Sequence, residues 1–294
     1  MTPKILLLAV LAAVALPAFA QQEVLPNQDD VFTEIKPGDL SVDPNNLING
    51  ANMGDVRAIN NLGLLWAHGV GTEGPNYAEA MRWWKEAAKR GYTLSMNNLG
   101  LLYANGNGVK QSYEEALKWW EMSAERGDAW AMNSIGDLYE NGHGVTQSYT
   151  QALEWYKRAA EASDGLAMYN LGHLHEEGLG VARNLKAAMD WYERSADKGI
   201  GVAMYKLGVM IAAGRGVPAD SAEAHAWLTV ASHYFTPEDA AEAEANRVAL
   251  SQLQSKLTRL QVERSKEIAK NLQARIEERR KQKPFGAGPG ERET

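Results

Sequence analysis

The chain has no cysteine among its 294 residues. Disulfide cross-links, thiolate metal ligands and a lipid-bearing cysteine are thereby excluded, so its fold must be held by burial and hydrogen bonding. Phenylalanine is scarce, 4 residues against 9 Trp and 11 Tyr, which places most of the aromatic content in side chains that carry a polar handle. The long apolar run is confined to the first twenty residues, and no later stretch reaches the ~20 apolar residues a spanning helix needs. Basic charge is also short. The formal net charge is −7, and between residues 21 and 258 there are 19 basic and 31 acidic side chains, net −12. An acidic body of this kind argues against nucleic acid as the ligand, because binding phosphates relies on clustered Lys and Arg. Residues 259–294 reverse the sign, with 10 basic and 6 acidic side chains, net +4.

Residues 1–20 hold Lys4, an apolar run from Ile5 to Leu16, and Ala18-Phe19-Ala20. That is the layout of a secretory signal peptide, with cleavage expected before Gln21. The mature chain is then expected in the periplasm or secreted, without a transmembrane anchor.

What the remainder contains is a repeat. Gly63, Gly100, Gly136, Gly172 and Gly208 lie 37, 36, 36 and 36 residues apart, and each is followed by a Gly-x-Gly pair and then by Trp83, Trp119, Trp155, Trp191 or Trp227. A period of this length is one helical hairpin that cannot bury its apolar side alone, so neighbours must stack. In one unit Ala131, Ile135 and Leu138 mark a helix face stopped by Gly142 and Gly144. A second helix is expected from Tyr149 to Ala162, with Ala152, Trp155, Tyr156, Ala159 and Ala160 as its apolar stripe. The residue after each tryptophan is also large: Trp84, Trp120, Tyr156, Tyr192 and Leu228. Both members of the pair are expected to pack between hairpins. The single spacing of 37 reflects one extra residue in the Thr72–Asn76 loop. A half-unit beginning at Asp43-Pro44, with Ala51 and Gly54 imitating the end of a second helix, should cap the start.

The chain resembles the Sel1-like repeat proteins, a branch of the tetratricopeptide-like α/α solenoids, over residues 43–235. The resemblance is carried by Asn98-Leu99-Gly100, Tyr103, Gly106-x-Gly108-Val109, Tyr113, Ala116, Trp119 and Ala124 to Gly127, which recur with few changes four more times. Ser163 and Phe235 depart from the pattern at the terminal glycine, as do His175 and Ile211 at the aromatic near Tyr103. The fold this implies is all-α, a right-handed α/α solenoid of five hairpins with an N-terminal half-unit and C-terminal capping helices. The caps are expected at 236–283. Thr236-Pro237-Glu238-Asp239 starts one helix and a capping box at Thr258–Gln261 starts a second, after Leu250, Leu253, Leu257 and Leu260. Residues 21–42 and 284–294 are expected to be flexible.

Chemistry is poorly represented. Ser195-Ala-Asp-Lys198 matches the S-x-x-K of penicillin-binding enzymes, and some cysteine-rich relatives are reported as penicillin-binding or β-lactamase proteins. The partner motifs K-T-G and S-D-N are absent, and Ser195 fills the slot of Ser123 and Ala159 in sister repeats. His173 and His175 point about 200° apart on a helix, and the other four histidines lie in other units. No catalytic group, metal or cofactor is expected.

The surface is then the candidate. In tetratricopeptide-like arrays the first helix of each hairpin lines the inner wall, which by resemblance implies inward Asn60, Asn97, Asn133, Tyr169 and Tyr205, together with Trp130, Asp137, His173, Glu140, Glu176 and Glu177. Asparagine there either pairs with the backbone of an extended peptide or stabilises hairpin stacking. The function implied is a non-enzymatic scaffold for another protein or peptide with a basic segment, in envelope signalling or exopolysaccharide secretion. A penicillin-binding or β-lactamase-like enzyme and a polysaccharide-binding module are the alternatives.

Overall fold

The computed structural model describes residues 44–70 and 74–281. The expected leader at 1–20, the segment 21–42 and the tail from 284 lie outside the described residues, as do Thr72 and Glu73 of the expected insertion in the first loop.

Among the described residues the chain is all-α, a series of helical hairpins of the solenoid class. Helix α1 (Pro44–Asn52) precedes five pairs: α2 (Val56–His68) with α3 (Tyr77–Lys89), α4 (Thr93–Asn105) with α5 (Tyr113–Ala124), α6 (Ala129–Asn141) with α7 (Tyr149–Glu161), α8 (Gly165–Glu177) with α9 (Leu185–Ala196), and α10 (Gly201–Ala213) with α11 (Ser221–Ala231). A 3₁₀ turn at Pro237–Asp239 leads into α12 (Ala240–Gln254), and α13 (Arg259–Lys281) closes the series. The chain divides into two compact units, one ending at Ala162 and the other beginning at Ser163.

The third pair shows why each hairpin forms. The Asp128 carboxylate accepts the Ala131 amide at 2.8 Å and caps α6. Gly142 then ends the helix at φ 73°, a left-handed conformation that costs a side-chain-bearing residue but not glycine. Ser148 caps α7 through its hydroxyl, which accepts from the Gln151 amide. The turn is closed by the Ser148 amide donating to the Tyr139 carbonyl at 2.8 Å. In the next pair Asn184 donates to the carbonyl of His175. The backbone of that position makes the contact, so histidine serves where an aromatic was expected.

In the unit ending at Ala162, α1 lays Leu47 and Ala51 against Ile59, Leu62 and Ala87, and a second cluster joins Leu64 and Trp84 to Met96, Leu99 and Leu102. In the other unit one core runs from Tyr169 and Tyr192 through Leu207, Trp227 and Leu228 to Leu253 of α12 and Ile276 of α13. The last hairpin is thus covered by both terminal helices, as an end unit requires. The break near Thr258 is present, with the Thr258 amide donating to Gln261 Oε1 and the Gln261 amide donating to the Thr258 hydroxyl. Leu260 departs from the expected apolar series. It lies just past the break, where the helix face turns outward, and is 81 % exposed.

Candidate functional site

Each repeat glycine makes room for one large side chain of its own hairpin. A Cβ built on Gly172 would stand 2.6 Å from the Tyr192 ring, one on Gly208 2.7 Å from Leu228, and those on Gly63 and Gly100 closer still to the indoles of Trp84 and Trp120. The second member of each aromatic pair is therefore the plug, and Trp84, Trp120, Tyr156, Tyr192 and Leu228 are buried. The first member is different. Trp83, Trp119, Trp155 and Trp191 are only half-buried, and Arg158 and Arg194 lie 4.0 and 4.1 Å over the rings of Trp155 and Trp191. Both members pack, as Trp83 and Trp119 do against the core clusters and Trp227 does when buried, but successive positions on a helix point about 100° apart and only one enters the glycine slot.

The polar ends of the plugs define the chemistry of the first helices. Trp84 and Trp120 donate from Nε1 to the carbonyls of Asn60 and Asn97 at 3.2 and 3.3 Å. Where the plug is tyrosine the hydroxyl reaches further. Tyr156 meets Asp137 at 2.5 Å and Glu140 at 2.7 Å, and Tyr192 donates to Glu176 at 2.7 Å. Burial and the neighbouring carboxylates push both tyrosines well above their usual range. The position four after the repeat glycine is glutamate in these two repeats and alanine in the other three, Ala67, Ala104 and Ala212. That pairing of acid with tyrosine was present in the sequence and is the signal that a reading by period alone passes over.

The candidate residues separate accordingly. Asn60 is 1 % exposed; its side-chain oxygen accepts from Ser95 at 2.8 Å and from Asn98 at 3.3 Å, joining the first hairpin to the second. Asn97 is likewise buried and donates to the carboxylate of Asp128 at 3.0 Å, and Asn133 is buried in the same register. Burial raises Asp128 against these hydrogen bonds. Asn60 and Asn97 therefore take the stacking role, and the inward-facing assignment is corrected for them because their side chains turn into the junction between hairpins, while Asn133 is corrected on its burial. Tyr169 and Tyr205 are also buried, Tyr169 with its ring 5.5 Å from that of Tyr192. Trp130 is half-buried, edge-on to Trp120 at 5.8 Å.

Glu176 is the largest departure, only 2 % exposed, with Lys206 at 3.3 Å and Arg215 at 2.9 Å. Burial alone would push its carboxyl up; Lys206, the Tyr192 hydroxyl and Arg215 outweigh it and hold the group below its ordinary value. His173, Glu176 and Glu177 offer ligand atoms within 4.8 Å of one another. Both oxygens of Glu176 already face cations, so this trio is an ion-pair node with an exposed edge at Glu177 and does not present a free metal cradle. Asp137, Glu140 and His173 remain half-buried, and Glu177 is exposed. Asp137 and Glu140 belong to one compact unit and His173 and Glu177 to the other. Ser195 is fully buried with its hydroxyl donating to the Gly165 carbonyl at 2.8 Å, the same contact Ser123 makes to Thr93.

A cleft of about 400 Å³ opens between α9 and α11, with Met189, Leu207, Ile211 and Trp227 as its floor and Asp190 and Glu193 among its acids.

The Sel1 repeat family model matches residues 56–92, 93–128, 131–164, 165–200 and 201–233. No curated protein matches the chain. Among solved structures, a protective antigen present in uropathogenic Escherichia coli strains and displaying an SLR fold superposes with a TM-score of 0.66 at 26 % identity, covering 83 % of this chain. This chain spans about half of that one, 52 %. A Sel1 repeat protein from Oxalobacter formigenes superposes with a TM-score of 0.60 at 29 % identity, covering 72 % of this chain and 93 % of its own.

Proposed function

Because the chain belongs to the Sel1 repeat family, a scaffold suited to protein–protein interaction, we propose that it is an exported, non-enzymatic adaptor binding a protein or peptide through acidic first-helix positions, with a basic segment on the partner. The observation that supports this most is the division of labour along the first helices. Their asparagines and Glu176 are tied up internally, whereas Glu177 in one unit is exposed, and Asp137 and Glu140 in the other, although both accept from the Tyr156 hydroxyl, are only half-buried. A net charge of −12 over residues 21–258 favours a cationic partner and salt-sensitive association. Export rests on the leader pattern at 1–20 alone.

The test is capture from periplasmic extract on the immobilised mature chain, beside a Glu140→Lys/Glu177→Lys variant. A protein retained by the first, eluted by salt and absent from the second supports the assignment; equal retention, or none, overturns it. Intact mass of the exported form should correspond to a chain starting at Gln21, and a retained leader would refute export with cleavage.

A further inference from the structure

Helix α13 shows what a groove between second helices accepts. Arg275 lies 5.6 Å over the ring of Trp227 on α11 and pairs with Glu193 of α9 at 2.8 Å and with Asp197, which caps that helix, at 3.0 Å. Arg279, one turn on, also pairs with Asp197. Ile276 is buried between these cations, and Leu272 packs beside it. Under this helix Trp227 is 3 % exposed, whereas Trp119, Trp155 and Trp191 at the same repeat position are half-buried.

Two repeats earlier the same three positions recur, and among the described residues no helix packs across them as α13 does. Glu121 and Glu125 of the α5 segment stand where Glu193 and Asp197 stand in the α9 segment, and Trp155 of α7 stands where Trp227 stands on α11. All three lie in the unit that ends at Ala162. Glu121 and Glu125 are exposed, one helical turn apart, and neither takes part in an ion pair among the described residues. Met122 beside them is 38 % exposed, one of few large apolar side chains so placed. The pattern is specific to this groove: the corresponding pair is Lys85 and Lys89 on α3, and Lys157 and Glu161 on α7. One difference sets the chemistry. Trp155 already holds Arg158 over its ring, so an incoming cation is drawn by the two carboxylates and not by the indole.

We propose that the groove between α5 and α7, framed by Glu121, Glu125 and Trp155, docks a basic amphipathic helix of a partner protein, with two Arg or Lys one turn apart flanking an apolar side chain. The arrangement of Arg275, Ile276 and Arg279 on α13 is the template for that occupant, and opposite charge across the groove provides both attraction and register. This surface belongs to the second helices, so its failure leaves the first-helix assignment above untouched.

The probe is a labelled peptide with the sequence of residues 259–281, titrated into the full mature chain. Saturable binding is expected, weaker by about tenfold or more in the Glu121→Lys/Glu125→Lys protein and in an Arg275→Glu/Arg279→Glu peptide, and declining with added salt. Both substituted protein positions are exposed, so an unchanged melting temperature and circular dichroism spectrum would confirm that the variant is folded. Absence of saturable binding, or equal binding by the variant protein, overturns the proposal, the second result placing the peptide elsewhere, for instance in the groove α13 already fills. Sedimentation gives an independent check. Self-association of the unaltered chain that the Glu121→Lys/Glu125→Lys change abolishes would make the occupant the α13 of a second copy and refute the partner assignment.

Discussion

At the residue scale the decisive side chain is Glu176. It is buried, yet charged, because Lys206, Arg215 and the Tyr192 hydroxyl surround its two oxygens. Removing one member of such a set leaves the others with an uncompensated charge or donor, which costs more than the pair contributes net. Glu176→Gln should therefore destabilise by about 2 kcal/mol at neutral pH, below the ~3–5 kcal/mol of a fully buried pair, since Lys206 and Arg215 keep partial access to water and can relax. The folded carboxyl is held below its ordinary value of 4.5. Its contribution is accordingly complete above that value and is lost as pH falls through the lower, folded one. Asp128 and Asp197, which burial pushes up, give the opposite slope, but they are common to both proteins and drop out of the difference. Thermal melts of the two proteins should show a constant gap at neutral pH that narrows below pH 4.5; a gap that persists into strong acid would contradict the ion-pair account. The involvement of Glu176 was half legible. The acid could be seen to accompany tyrosine in two repeats, but which way it faced depended on where the tyrosine ring went.

At the element scale the hairpins differ little in their termini, and the exception is informative. Second helices end in left-handed glycine at Gly91, Gly127 and Gly199, with φ of 86°, 86° and 88°, while Ser163 holds the same position at φ 75°. It is the only non-glycine residue with positive φ among those described. The Cβ of an L-residue crowds the following carbonyl in this region, at about 1–2 kcal/mol, part of which glycine returns through its freer unfolded chain. Ser163→Gly should therefore stabilise by about 0.5–1 kcal/mol and raise Tm by about 2 °C. A lower Tm would mean the serine side chain compensates its own strain. The departure at Ser163 was visible as a break in the motif, and the glycine positions around it told why it matters. Element boundaries were similarly legible, because Ser148, Asp164 and Asn184 sit as caps ahead of apolar stripes.

At the scale of the whole molecule, stability is a sum over neighbouring hairpins, and the plug residues carry it. Trp120 is buried with its indole over Gly100, so Trp120→Ala should cost about 3–5 kcal/mol and raise hydrogen exchange in α4 and α6 as well as α5. Trp155→Ala should cost clearly less, because that ring keeps one face toward Arg158 and water. Equal losses for the two variants, measured by denaturant melts, would place both members of the aromatic pair equally in the core. The sequence by itself determined the helical hairpin, its period, its five copies and the covering of its last member, since spacing of apolar residues, caps and glycines is local information that each helix reads independently. Only the tertiary structure decided which of two adjacent aromatics enters the glycine slot, that Asn60, Asn97 and Glu176 are buried against the next hairpin, and that α13 lies across Trp227 with its arginines on Glu193 and Asp197. Those outcomes depend on which surfaces meet when hairpins stack, and a one-dimensional pattern specifies that each helix has a buried face without specifying what that face will touch.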